Sequence, residues 1–281
     1  MEELKNKQPN QVCDEILGQK TGWNSLDTVI GGLEGLVIVG GRPGMGKSIF
    51  GMNVAEYVTF DEKKTSLIFS LELSESNVSE RILSSQAGTR YSDIKFETWN
   101  DNDLDATCIF DTSQSNFITV CDEPRLSISK IKSISRQCKK RFGSLGVIVI
   151  DYIQLLADYD RNPDTMQLKV LGNLYRNLKL LSEELDCSVV ALSQLTRKLE
   201  NRTDRRPKLS DLRASGAIKR TADTVIFLYR DEYYNNQRKK GIAEVIISKN
   251  RNGKTGTVEL SFQPQIMRFM EKSETRNSER A

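Results

Sequence analysis

The chain has 281 residues, a net charge of +3 and no histidine; it is long enough to bury a sizeable core, and the missing histidines exclude Ser-His and Cys-His nucleophilic centres and histidine metal sites. So small a charge does not by itself point to nucleic acid or an anionic membrane, and the longest apolar runs, LVIV and VIVI, fall far short of the roughly 20 residues that span a bilayer. Five widely spaced cysteines (Cys13, Cys108, Cys121, Cys138 and Cys187) with no C-x-x-C argue against a disulfide framework or a zinc site and suit a reducing cytosol.

In chain order, residues 1–20 read as an arm or linker without an apolar signal core, so no export is expected. A strand over 36–40 (LVIVG) leads into a glycine-rich loop and then a helix, IFGMNVAEYV. SLIFSL (66–71) is a second strand. The helix after it has Ser74 as its N-cap and Gly88 as its stop. FITVCD (117–122) is a third strand, followed by a helix that sets Ile128, Ile131, Ile134 and Cys138 on one face. GVIVIDY (146–152) is the next strand. A helix over about 168–185 then carries Leu171, Leu174, Leu178, Leu181 and Leu185 at 3–4 spacing. CSVVALSQ (187–194) and DTVIFLYR (223–230) are two more strands. AEVIISKN (243–250) and GTVELSF (256–262) form a hairpin over RNGKTG, and residues 271–281 read as a solvated tail. Continuous apolar strands alternating with helices predict one α/β domain over 21–270. Its sheet is mostly parallel, flanked by helices, with an antiparallel hairpin at one edge.

The loop GGRPGMGKS contains Gly41-x-x-x-x-Gly46-Lys47-Ser48 between a strand and a helix. This is the P-loop arrangement, in which bare main-chain N–H groups and a helix N-terminus receive phosphate. The expected nucleotide contacts are Gly41, Arg42, Pro43, Gly44, Met45, Gly46, Lys47, Ser48 and Ile49. Lys47 would reach the outer phosphates, and Ser48 would bind Mg²⁺. Asp151, ending VIVID, is the metal-side carboxylate that such a loop needs on a neighbouring strand. Glu72, just past SLIFSL, either handles the attacking water or is a carboxylate favoured at a helix start. Gln194, ending another strand, either touches the γ-phosphate or is a buried amide satisfied by main chain. The residues alone leave both pairs of readings open.

Taken together, GRPGMGKS, FSLE, VIVIDYIQLL, VVALSQLTRKLENRTDRRPKLSDLRASGAIKRTADTVIFLYRDEYY and AEVIISKNRNGKTGTVELSF resemble the ATPase domain of DnaB-type replicative helicases, a RecA-like fold of superfamily 4. The resemblance runs in order from about Thr21 to Phe269, and 193–234 is its most specific part. It implies a hexameric ring that moves along single-stranded DNA using ATP and Mg²⁺ in the cytoplasmic replication machinery of a bacterium, phage or organelle. Primase or a helicase loader is a further implied partner, and no membrane is implied. By the family pattern Glu72 is the catalytic base, Asp151 the metal-side acid and Gln194 the γ-phosphate sensor. Lys249 and Arg251 reach into the neighbouring subunit's ATP, with Arg251 as arginine finger. DLRASGAIKR matches the segment that holds DNA in the ring's channel, placing Arg213, Ala214 and Gly216 at the contact, with Ala214 where the family often has Glu. Three more departures stand out. About twenty residues precede the core where the family has an N-terminal domain and linker helix, the stretch between Gly88 and Phe117 is short, and Lys254 replaces a common Pro. A recombinase-like or switch ATPase, and a truncated homologue that partners another helicase, are the competing expectations.

Overall fold

Apolar residues alternate between two faces along the central strands. In β1 (Leu36–Gly41) every residue is buried; Val37 and Val39 enter one hydrophobic layer, and Leu36 and Ile38 enter the other. A strand with no solvent face lies inside a sheet covered on both sides. The computed structural model describes residues 16–96, 117–156, 164–235 and 238–272. The start of the expected arm, most of the short stretch before Phe117, and the tail from 273 lie outside the described residues.

Around β1 the elements run α1 (Asn24–Ile30), α2 (Lys47–Phe60), β2 (Thr65–Ser70), α3 (Glu75–Ala87), α4 (Tyr91–Lys95), β3 (Ile118–Cys121), α5 (Ile128–Phe142), β4 (Leu145–Asp151), α6 (Asp164–Leu185), β5 (Ser188–Gln194), α7 (Ser215–Thr221), β6 (Thr224–Tyr229), β7 (Ile242–Asn250), β8 (Gly256–Gln263) and β9 (Arg268–Glu271). They form a nine-stranded sheet in the order β3-β2-β4-β5-β1-β6-β7-β8-β9. The six strands from β3 to β6 are parallel, and β7, β8 and β9 extend the sheet antiparallel. The expected α/β class and antiparallel edge are both present, the edge longer by one strand.

One layer holds α1, α2 and α3, and the other holds α5 and α6. The leucines predicted to share one face of α6 are the ones it buries, from Leu171 to Leu185. Caps fall where the sequence puts them. Ser74 Oγ accepts from the Asn77 N–H at 3.3 Å, and Gly88 ends α3 at φ +66. The helices α1, α4 and α7 and the strand β9 have no counterpart in the sequence reading. Each is seven residues or fewer, too short to show a period.

Asp27 on α1 is 1% exposed and accepts the Thr21 N–H with both carboxylate oxygens at 3.0 and 3.1 Å. Burial pushes its pKa up to about 6. Between about pH 4 and 6 the folded chain therefore keeps a proton on Asp27 that the unfolded chain has released, and the stabilisation from that proton, full below about pH 4, is lost as pH rises through about 6. In urea titrations, moving from pH 5 to pH 7 should lower the stability of the wild type by about 1 kcal/mol more than that of Asp27→Asn.

Candidate active site

A parallel sheet brings the C-terminal ends of its strands to one edge, and loops leaving those ends can converge. Here Gly41 lies opposite Gln194, and Ser70 lies opposite Asp151. The Leu71 N–H donates to the Asp151 carbonyl at 2.8 Å, so the chain leaving β2 is tied to the end of β4 just before Glu72.

The loop between β1 and α2 needs glycine for two separate reasons. Gly44 and Gly46 sit at φ +79 and +92, a region other residues enter only with strain. A Cβ on Gly46 would lie 2.8 Å from the Phe269 ring, and one on Gly44 would lie 2.8 Å from the Tyr233 ring. Bare backbone therefore packs against aromatic walls, and the fourteen-residue helix α2 starts directly behind it. Main-chain N–H groups and a helix N-terminus in this order suit a phosphate.

Lys47 opens α2, and its Nζ donates to the Arg42 carbonyl at 3.1 Å. Burial lowers its pKa to about 8, opposed by the Asp151 and Glu72 carboxylates. Asp151 is 3% exposed. Burial raises its pKa, while a hydrogen bond from the Ser48 hydroxyl and the charges of Lys47 and Arg81 act against the rise. Its Oδ2 atom is buried without a hydrogen-bond partner among the described residues. An unsatisfied buried carboxylate oxygen is costly and calls for a positive partner. One carboxylate and one hydroxyl side by side are a donor set that fits Mg²⁺, which takes few protein ligands and shares the rest with phosphate and water.

Lys47, Ser48, Glu72, Asp151 and Gln194 line one cavity of about 430 Å³ with Pro43, Gly44, Gly46 and Ile49. Other expected loop residues are placed differently. Met45 is fully buried, so only its main chain could meet a ligand. The Arg42 side chain turns away, donating to Glu200 and to the Leu195 carbonyl. Two cationic side chains in the cavity were missed. Arg81 of α3 lines it, with its Nε buried and without a hydrogen-bond partner among the described residues. Arg230 donates to the Gly44 carbonyl at 2.9 Å and lies 4.4 Å over the Phe262 ring, next to Pro264 and Met267. No local pattern marks Arg81, since it is one charge on a polar helix face.

The remaining candidates stand apart from the cavity. Arg213 is exposed, Ala214 adopts φ +58 ahead of α7, and Gly216 in the first turn of α7 has open space where a Cβ would be. Lys249 Nζ donates to the carbonyls of Lys219 and Ala222. Arg251 pairs with Asp223 at 3.1 Å, and the Asp223 N–H donates to the Leu36 carbonyl. Leu36 begins β1 and Gly41 ends it, so Arg251 and the glycine loop are separated by five strand steps, about 16 Å.

Comparison with known proteins shows the family. The family model described as the DnaB-like helicase C terminal domain matches residues 18–271. The chain belongs to the DnaB-like helicase C-terminal domain family. It is 39% identical over 260 residues to the replicative DNA helicase DnaB of Geobacillus stearothermophilus and 37% identical to the replicative DNA helicase DnaC of Bacillus subtilis. Each match covers 91% of this chain and 57% of the relative, so the chain spans a little over half the length of these curated relatives. Among solved structures, the ATPase domain of G40P aligns with a TM-score of 0.83 and 34% identity, covering 92% of both chains. A DnaB-like replicative helicase whose structure was described with its interactions with primase also aligns at 0.83 and 34%, covering 91% of this chain and 62% of that one. The nine-stranded sheet is thus the RecA-like core of the DnaB-like family.

Gly46→Ala should destabilise the fold by about 1–3 kcal/mol, because the new Cβ is strained at this φ and overlaps Phe269. Gly216→Ala should stay within about 0.5 kcal/mol, since that position is open. Paired urea melts check the contrast.

Proposed function

We propose that this chain is the ATP-hydrolysing motor of a replicative DNA helicase, a ring of copies that moves along single-stranded DNA and unwinds duplex. The observation that carries the reading is the meeting of Lys47, Ser48, Glu72, Asp151 and Gln194 in one cavity, on a chain of this family. ATP is the substrate. Its phosphates would lie against the glycine loop and Lys47, and its base against the apolar wall of Phe262, Pro264 and Met267. Ser48 and Asp151 would hold Mg²⁺, which when bound neutralises charge on the phosphates. Glu72 orients the attacking water and takes its proton, and Gln194 contacts the γ-phosphate. Arg81 adds positive charge beside Asp151.

Arg251 acts on another copy's ATP. The support is positional. It sits at the opposite end of β1 from its own glycine loop, held by Asp223, and cannot reach its own cavity. Lys249 accompanies it. A motor whose finger and cradle lie at opposite ends of a sheet needs a neighbour at each end, as in a ring of subunits. Arg213, Ala214 and Gly216 supply the DNA contact, the Arg side chain with charge and the glycine with close main-chain approach to phosphate. Primase or a loading protein is a further proposed partner, by relation to the primase-interacting helicase.

The direct test is ATPase activity with and without single-stranded oligothymidylate, alongside mass in solution. Stimulation by DNA in an oligomer is expected; a monomer indifferent to DNA would defeat the reading. Glu72→Gln should bind ATP as the parent does and turn it over about 10²–10⁴-fold more slowly, because the amide cannot accept a proton. Turnover within a factor of about two would return Glu72 to a helix-start carboxylate.

Arg251→Ala should also bind ATP normally and lose about 10³–10⁵ in rate. Mixing it with Glu72→Gln should restore part of the activity, since an interface can then pair one chain's Glu72 with the other's Arg251. Mixed oligomers verified by native mass that stay inactive would count against a shared site.

A further inference from the structure

The Arg42 side chain does something that phosphate binding does not require. Its main chain belongs to the glycine loop, and its carbonyl accepts from Lys47 Nζ at 3.1 Å. Its side chain, only 11% exposed, carries the guanidinium across to the chain that leaves β5. There Nε donates to Glu200 Oε1 at 2.8 Å, the Nη2 group lies 2.7 Å from the same oxygen, and Nη1 donates to the Leu195 carbonyl at 2.9 Å. All of this is within one subunit and outside the cavity.

The segment it grips is cross-braced. The Thr196 N–H donates to the Asp211 carbonyl at 3.3 Å, Arg202 pairs with Asp211 at 2.8 Å, and the Lys208 N–H donates to the same carboxylate at 2.8 Å. Residues 196–211 are therefore tied end to end, and Arg213 follows two residues later. The near end is pinned. Gln154 Nε2 donates to Ser193 Oγ and the Gln194 carbonyl, and Gln154 Oε1 accepts the Gln194 N–H. A pinned strand end, a braced segment beyond it and a charged strut from the glycine loop make a lever.

We propose that Glu200 is a positioning residue that, through Arg42, transmits the nucleotide state of the glycine loop to the DNA-facing turn at Arg213. The inference rests on the DNA-motor reading above. A phosphate drawing the Lys47 ammonium removes a donor from the Arg42 carbonyl and moves the loop. The guanidinium carries that movement to Leu195 and Glu200. Coupling between two ligands through one element is reciprocal, so DNA at Arg213 should tighten nucleotide binding by the factor that nucleotide tightens DNA binding.

The test measures the affinity of fluorescent oligothymidylate for the full chain with and without a non-hydrolysable ATP analogue, in the parent, Glu200→Ala and Glu200→Gln. The Glu200 side chain is 41% exposed, so its removal leaves the fold standing. Glu200→Ala should keep analogue affinity and DNA-free ATPase within about twofold, while the ratio of the two DNA affinities falls from roughly 5–150-fold in the parent towards one. Glu200→Gln, which keeps an acceptor of the same length for Arg42, should retain an intermediate ratio. An unchanged ratio in Glu200→Ala would overturn the strut and leave the motor reading intact. A variant that loses melting temperature and both affinities together would also overturn it, showing a purely structural role. A parent whose DNA affinity ignores the analogue would defeat the motor reading itself.

Discussion

The site depends on one buried carboxylate. Asp151 ends the central strand β4 at 3% exposure with one oxygen unsatisfied among the described residues. Burial drives its pKa upward, and Ser48, Lys47 and Arg81 hold it back. Each of those partners is itself committed to the cavity, and Lys47 is held well below its ordinary pKa by burial. Such a cluster is electrostatically unfinished, with buried charges of both signs around a space of about 430 Å³. On the proposed function, a polyphosphate with a divalent cation would complete it, supplying anions to Lys47 and Arg81 and a cation to Asp151.

The antiparallel extension has its purpose in the same place. Trp23 stacks on Phe50 with centroids 4.8 Å apart, Phe269 meets both edge-on, and Phe262 lies 4.5 Å from Phe269. The Trp23 Nε1–H donates to the Phe269 carbonyl at 3.2 Å, and Asn53 of α2 accepts the Phe269 N–H at 2.9 Å. β8 and β9 thus clamp the first turns of α2 from outside, with Phe269 against Gly46. Strands far along the chain fix the attitude of a loop set early in it. The parallel sheet supplies the edge, and the antiparallel strands pack against the glycine loop.

Sequence alone carries much of this because the signals are local. A glycine loop between a strand and a helix, a carboxylate ending VIVID and a leucine face on α6 each follow from spacing, and the fold places them as expected. What the sequence hides is tertiary. Arg81 is a single charge on a polar helix face, and Arg230 is one of three successive charges after an apolar strand, until folding turns them into the cavity. Short α1, α4, α7 and β9 lack enough residues for a period to emerge. Arg42 looks like one more phosphate ligand, yet its guanidinium belongs to Glu200, 158 positions away. For Lys249 and Arg251 the sequence shows two cations near a hairpin turn. The partners that hold them, the carbonyls of Lys219 and Ala222 and the Asp223 carboxylate, come from the chain that leads into β6.

The two ends of β1 then set the logic of the whole subunit. At Gly41 lies a cavity rich in charge. At Leu36 lies Asp223, whose one carboxylate takes the Leu36 N–H, Lys179 and Arg251. Asp223 is only 4% exposed, while the Arg251 side chain is 58% exposed. Exposed ion pairs are weak, and an arginine that keeps most of its surface in water can be drawn off by a stronger anion. Lys179 remains to balance Asp223 when that happens. The end of the sheet away from the cradle therefore carries a cation that can be released without stranding a buried charge. That would satisfy the electrostatic condition of the proposed function, in which one subunit lends Arg251 to the next while keeping its own core neutralised.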